Sequence, residues 1–102
     1  MMTAIIRQAR DNMVNNQVRG WDVVDVRVLD TLSAVPREAF VPAAWRSMAF
    51  ADLAIPLGHG ETMMKPVVEG RMLQALQLLP SEHVLEIGTG SGFITACLAR
   101  LS

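Results

Sequence analysis

The residues best equipped for chemistry run from Glu86 to Gly92, within Val84-Leu85-Glu86-Ile87-Gly88-Thr89-Gly90-Ser91-Gly92. Val84, Leu85 and Ile87 form a short apolar, strand-like run, and Gly88, Gly90 and Gly92 permit a tight turn that a ligand can approach closely. Phe93, Ile94, Ala96, Cys97, Leu98 and Leu101 continue as an apolar helix. The N-terminus of such a helix offers unpaired N–H groups above the turn, where a carboxylate or similar anion is favoured. Spacing limits the choice of ligand. A dinucleotide fingerprint needs glycine at the sixth position, but that position is Phe93 counted from Gly88 and Thr95 counted from Gly90. A phosphate-cradling loop needs a lysine that this turn lacks.

The elements that must position this turn are mostly helical. Thr3 caps a first helix with Ile6, Ala9 and Met13 on one face, and Gly20 stops it. Asp22 or Asp25 begins a second helix, in which Val28, Leu29, Leu32 and Val35 form the apolar stripe before Pro36. Pro36 to Pro42 fits one short helical turn. Phe50 to Pro66 has no helical period and several turn formers, so it reads as an irregular or short-stranded loop of the kind that carries function. Pro66 opens a helix whose buried stripe is expected to be Val68, Met72, Ala75, Leu76 and Leu79, closed by Pro80. Ser81-Glu82-His83 turns the chain into the strand.

Composition narrows the function classes. The chain has 102 residues, 51% of them hydrophobic, and a net charge of −1, which suits one globular domain without a polyelectrolyte partner. Nucleic acid and membrane are therefore not expected partners, and a cytoplasmic location follows by default. One cysteine, Cys97, and two scattered histidines supply neither a disulfide nor a metal cluster. Cys97 falls on the apolar side of its helix and reads as core.

The pattern E-x-G-x-G-x-G from Glu86 to Gly92 resembles the first motif of S-adenosylmethionine-dependent methyltransferases. By that resemblance Glu86 accommodates the cofactor's ammonium group, while the backbone of Gly88, Thr89, Gly90, Ser91 and Gly92 meets its methionine end. The implied fold is α/β, the N-terminal part of a Rossmann-like methyltransferase, rich in helix over these residues. The segments before the turn are similar to one family in particular, the protein-L-isoaspartate O-methyltransferases. The similarity runs through Met13-Val14, Gln17-Val18, Val28-Leu29, Val35 to Pro42, Asp52, Ile55 to Gly58, Gly60, Thr62 and Pro66. That family methyl-esterifies the free carboxylate of isoaspartyl linkages in damaged proteins, so a protein or peptide substrate is implied.

Asp52, Thr62, Met64 and Lys65 are the candidates for substrate positioning, since methyl transfer to an ionised carboxylate needs placement more than proton transfer. The resemblance puts tyrosine, glutamine, serine and glutamine where this chain has Phe50, Glu61, Met64 and Lys65. Met64 cannot donate a hydrogen bond, whereas Lys65 still attracts a carboxylate. Asp52 could equally cap a local turn, and the Met63-Met64 pair could equally plug the core. His59 reads as a solvated loop tip.

Residues 1–80 are expected to form a helical segment with the substrate loop, and 81–102 the first strand, turn and helix of an incomplete cofactor-binding domain. The resemblance implies further strands beyond Ser102, and by analogy with dinucleotide folds an acidic residue for the cofactor ribose is expected about 20 residues past the glycine turn. The lone strand is expected to pair with the 50–60 loop, with another copy of the chain, or not at all. Two other readings remain at this stage. One is a non-catalytic interaction or regulatory module derived from a methyltransferase; the other, a nicotinamide-dependent oxidoreductase fragment, is disfavoured by Phe93 and Thr95.

Overall fold

Helix α1 (Met2–Asn12) runs without a break into a π-helical turn, Met13–Val18, and then a single 3-10 turn, Arg19–Trp21. The computed structural model describes residues 2–102. Thr3 thus lies inside the first helix and not at its cap, and Gly20 is carried along within the last turn. The wide turn has a packing reason: Met13 and Val18, five residues apart, both reach the core while Asn15 and Asn16 stay in water. The break comes at Asp22, which adopts a left-handed conformation with φ 64°.

Of the two aspartates, Asp25 starts the second helix, α2 (Val26–Ala34), its carboxylate accepting from the Arg27 N–H at 2.9 Å. Val28, Leu32 and Val35 are buried as the pattern predicts. Gln74 closes the link ahead of α2: its side-chain oxygen accepts from the N–H groups of Val24 and Asp25, and its nitrogen donates to Asp22 O. Arg27 reaches from the start of α2 to two distant carbonyls, Leu78 O at 2.5 Å and Leu101 O at 2.9 Å. Arg37–Phe40 forms the short turn expected between the prolines, and a second 3-10 segment, Ala43–Met48, follows Pro42.

The 50–66 loop contains a hairpin. Strands β1 (Ile55–Gly58) and β2 (Glu61–Met63) pair antiparallel, with Ile55 opposite Met63 and both side chains in the core. His59 occupies the exposed tip with φ 55°.

Helix α3 (Pro66–Leu76) begins at Pro66 but ends at left-handed Gln77, before Pro80. Its buried face is Pro66, Val67, Gly70 and Leu73, with Glu69, and not the predicted stripe: Val68, Leu76 and Leu79 are exposed. Periodicity finds apolar stripes but cannot rank two on the same helix. Gly70 decides between them, because it faces the turn that ends the first helix. A β-carbon there would stand 2.6 Å from Val18 Cγ1 and 3.3 Å from Val23 Cγ2, so only glycine allows this approach. Helix α4 (Phe93–Leu101) turns Phe93, Cys97, Leu98 and Leu101 inward.

Residues 84–87 form no strand. The one sheet among the described residues is β1–β2, and the 84–87 backbone pairs with neither of its strands. Leu85 and Ile87 are 86% and 88% exposed.

Gly70→Ala is expected to lower stability by about 1–3 kcal/mol, the usual cost of overpacking, because stiff, buried Val18 has nowhere to go. Urea unfolding followed by circular dichroism reads this directly. An unchanged midpoint would show that the first helix and α3 do not meet as closely as described.

Candidate functional site

The glycine turn has the backbone that its residue types require. Gly88, Gly90 and Gly92 have φ of 75°, 56° and 90°, in the region where a side chain costs roughly 1–2 kcal/mol. The turn is closed by the Gly92 N–H donating to Thr89 O at 2.9 Å, and Ser91 Oγ accepts from the Phe93 N–H at 3.4 Å as α4 begins. Glu86 is fixed from below: Thr95 Oγ1, in the first turn of α4, donates to its carboxylate at 2.5 Å. A carboxylate beside a helix N-terminus is also favoured by the helix dipole.

Above the turn lies a cleft of about 330 Å³. Its lining brings Glu86, Gly88, Thr89, Gly90 and Ser91 of the turn together with Thr62 and Met64 from the end of the hairpin. The candidate cofactor residues and two candidate substrate residues are therefore neighbours. Gly92 sits below the cleft at the head of α4, where a β-carbon would meet the Phe40 ring at 3.7 Å. Asp52 and Lys65 do not line the cleft; Asp52 sits on an exposed bend and Lys65 is the exposed residue ahead of α3. The methionine pair divides between its two readings, with Met63 in the core and half-buried Met64 on the cleft. A second depression, of about 500 Å³, lies beyond Leu57, Gly90 and Ser91 and carries His59 and Glu61.

The sequence reading missed Glu69. It lines the cleft yet is 1% exposed, and its carboxylate is bonded by Arg37 Nη1. Arg37 is itself fully buried. Its Nε donates to Ala49 O at 2.7 Å, its Nη2 donates to Met64 O at 3.1 Å, and its guanidinium lies 4.9 Å from the Phe93 ring centre. The signal was available: a glutamate inside the apolar run Val67-Val68-Glu69-Gly70 needs a partner if buried. Glu69 and Glu86 are the charged residues of the cleft lining, which otherwise is largely apolar, with Met72, Ile94 and Leu98 among its members. A largely apolar cleft with two carboxylates suits a ligand with positive charge and an apolar body.

Burial pushes the Glu69 carboxyl up to about 7, against the pull of the Arg37 guanidinium. The Cys97 thiol is pushed up to about 12, first by burial and then by the nearby Glu69 charge, and is inert as a nucleophile. Because the folded state holds the Glu69 proton more tightly than the unfolded chain, the stability this group contributes is fully present below about pH 4.5 and is lost as pH rises through about 7. The denaturation midpoint is expected to fall across that window by the equivalent of on the order of 3 kcal/mol at most. Glu69→Gln should flatten this component; an identical pH profile in the variant would refute the assignment.

Residues 7–102 match the family model described as Protein-L-isoaspartate(D-aspartate) O-methyltransferase. The chain is 47% identical over 95 residues to the protein-L-isoaspartate O-methyltransferase of Aeropyrum pernix, covering 93% of this chain and 36% of that protein. It is 46% identical over 93 residues to protein-L-isoaspartate O-methyltransferase 2 of an Anaeromyxobacter species, covering 91% and 38% respectively. With the Cronobacter sakazakii protein-L-isoaspartate O-methyltransferase, identity is 48% over 86 residues, covering 84% and 41%. The chain thus spans about two fifths of the length of these relatives.

Proposed function

The chain belongs to the protein-L-isoaspartate O-methyltransferase family, and on that premise we propose that the natural polypeptide carrying it methylates the free carboxylate of isoaspartyl residues in damaged proteins, with S-adenosylmethionine as methyl donor. The observation that carries this reading is the cleft, which joins the glycine turn to the Thr62–Met64 rim and is charged only by two carboxylates. These residues fit the donor: an apolar wall for its uncharged surface, acidic groups for its cationic ones, and turn amides for its carboxylate.

When bound, S-adenosylmethionine supplies a methyl group on a sulfonium whose departure needs no proton. The chain's own residues have only to bind and orient. Glu86, anchored by Thr95, takes the ammonium end, and the backbone of Gly88 to Ser91 takes the carboxylate end. Leu57, Met72, Ile94 and Leu98 exclude water from between donor and acceptor. Thr62 and Met64 form the rim against which the acceptor carboxylate rests, while Lys65 and Asp52, both exposed, act on the approaching polypeptide. In this reading residues 81–102 open the cofactor-binding unit of a Rossmann-like fold, and residues 1–80 supply the substrate side.

One observation favours a second reading, a module that keeps the cofactor turn without catalysis. The thioether of Met64, which donates no hydrogen bond, stands on the rim where the family resemblance implies a serine.

Amide-resolved NMR of the 102-residue chain titrated with S-adenosylmethionine is expected to give saturable shifts at Gly88 and Gly90. Labelled methyl incorporation by the natural polypeptide is expected with an isoaspartyl peptide and absent with its aspartyl isomer. Restoring a donor with Met64→Ser should raise kcat/KM roughly 5- to 150-fold, the equivalent of about 1–3 kcal/mol. Incorporation only in that variant would favour the second reading, and none in either would sink the first.

A further inference from the structure

We propose that the depression beside the cleft receives the residue next to the one methylated, and that Glu61 selects a basic side chain there, so that isoaspartyl sites flanked by lysine or arginine are the preferred substrates. The inference rests on the methyl-transfer reading of the cleft and deepens it by naming a substrate class. It concerns a glutamate that stands where the family resemblance implies glutamine.

The two spaces meet at Leu57, Gly90 and Ser91. Strand β2 serves both: Thr62 lines the cleft, whereas Glu61, the residue before it, lines the depression of about 500 Å³. Successive side chains of a strand leave on opposite faces, from Cα atoms about 3.8 Å apart. Neighbouring residues of an extended substrate are separated by the same step. A polypeptide that crosses the border with its acceptor carboxylate at Thr62 therefore brings an adjacent side chain to Glu61.

The depression has the chemistry that suits a long cationic side chain. Ala39, Phe40 and Pro42 supply apolar surface for its stem, and Glu61 supplies the charge for its head. Glu61 is exposed, and its carboxylate has no hydrogen-bond or ion-pair partner among the described residues. No lysine or arginine lines the depression, so nothing fixed within it offsets that charge. The other titratable group of the lining is His59, which competes for the carboxylate when charged. An exposed ion pair is worth little on its own, but an acidic neighbour exchanges attraction for repulsion and so widens the contrast.

The test is labelled methyl incorporation by the natural polypeptide, at pH 8 and low salt, into isoaspartyl peptides that differ only in one flanking residue. That residue is lysine, glutamine or glutamate, placed before or after the isoaspartate. For at least one flank kcat/KM is expected to fall in that order, by about 3- to 10-fold from lysine to glutamate and mostly through KM. Added salt should shrink the contrast. Glu61→Gln should bring the peptides within about twofold of one another, and Glu61→Lys should reverse their order, which a purely structural role for an exposed strand residue would not do. Equal values for all peptides, or an order that survives Glu61→Gln, overturn the proposal and leave the methyl-transfer reading standing. Equal values together with self-association that Glu61→Lys abolishes would give the depression to a second copy of the chain instead. No incorporation into any peptide removes both readings.

Discussion

One buried guanidinium holds the architecture of this chain together. Arg37 has no exposed surface and joins the loop before the hairpin through Ala49 O, the end of the hairpin through Met64 O, α3 through Glu69 and α4 through Phe93. A buried ion pair is not by itself strong evidence of stability, because desolvation can cancel its attraction. It does impose direction. Each N–H of a planar fork must find its acceptor, and the acceptors lie on separate pieces of chain, so the pieces have few ways to assemble around it. The cleft inherits its shape from this constraint, since its rim at Met64 and its buried carboxylate at Glu69 are both held by the same side chain.

The chemistry of the cleft follows from economy of charge. Nothing in its lining is positioned as a conventional acid–base pair, and the thiol nearest to it, Cys97, is buried and held protonated. What the lining offers is shape, apolar surface, backbone amides and negative charge. Those properties suit a reaction whose donor arrives activated and whose acceptor is already ionised, because only relative placement then remains to be supplied. The second depression meets the cleft at Leu57, Gly90 and Ser91, so the two spaces share a border at the glycine turn.

Several local signals in the sequence hold where local chemistry decides, although Thr3 does not cap the first helix and Gly20 does not stop it. A helix cap at Asp22 or Asp25, of which the structure uses Asp25, Pro66 at a helix start, the short turn between Pro36 and Pro42, and the three turn glycines each follow from a property of one or two residues. The errors arose where a distant partner decides. Which face of α3 is buried depends on Val18 meeting Gly70, and the length of the first helical run depends on Met13 and Val18 reaching one core. The apolar 84–87 run has strand composition, but a ladder needs a neighbour, and composition does not say whether one is present. Within the site, the motif marked one wall of the cleft, whereas Glu69 was overlooked because its meaning comes from an arginine 32 positions away.

Arg27 gives the segment that carries the turn an unusual mechanical setting. It grips Leu78 O at one foot of that segment and Leu101 O at the far end of α4, while Phe93 is sunk in the core between them. Residues 79–92 are consequently a tether pinned at both ends, with solvent along most of their length. Such a tether can open and reclose as a local unit without releasing the core, at a free energy well below that of global unfolding. Its entropy on opening is limited by the two fixed feet. The glycine turn thus belongs to a loosely held segment while its anchors belong to the packed core, and amide protection along the chain should set in at Ala96, whose N–H is the first of α4 to reach a helical acceptor, Gly92 O.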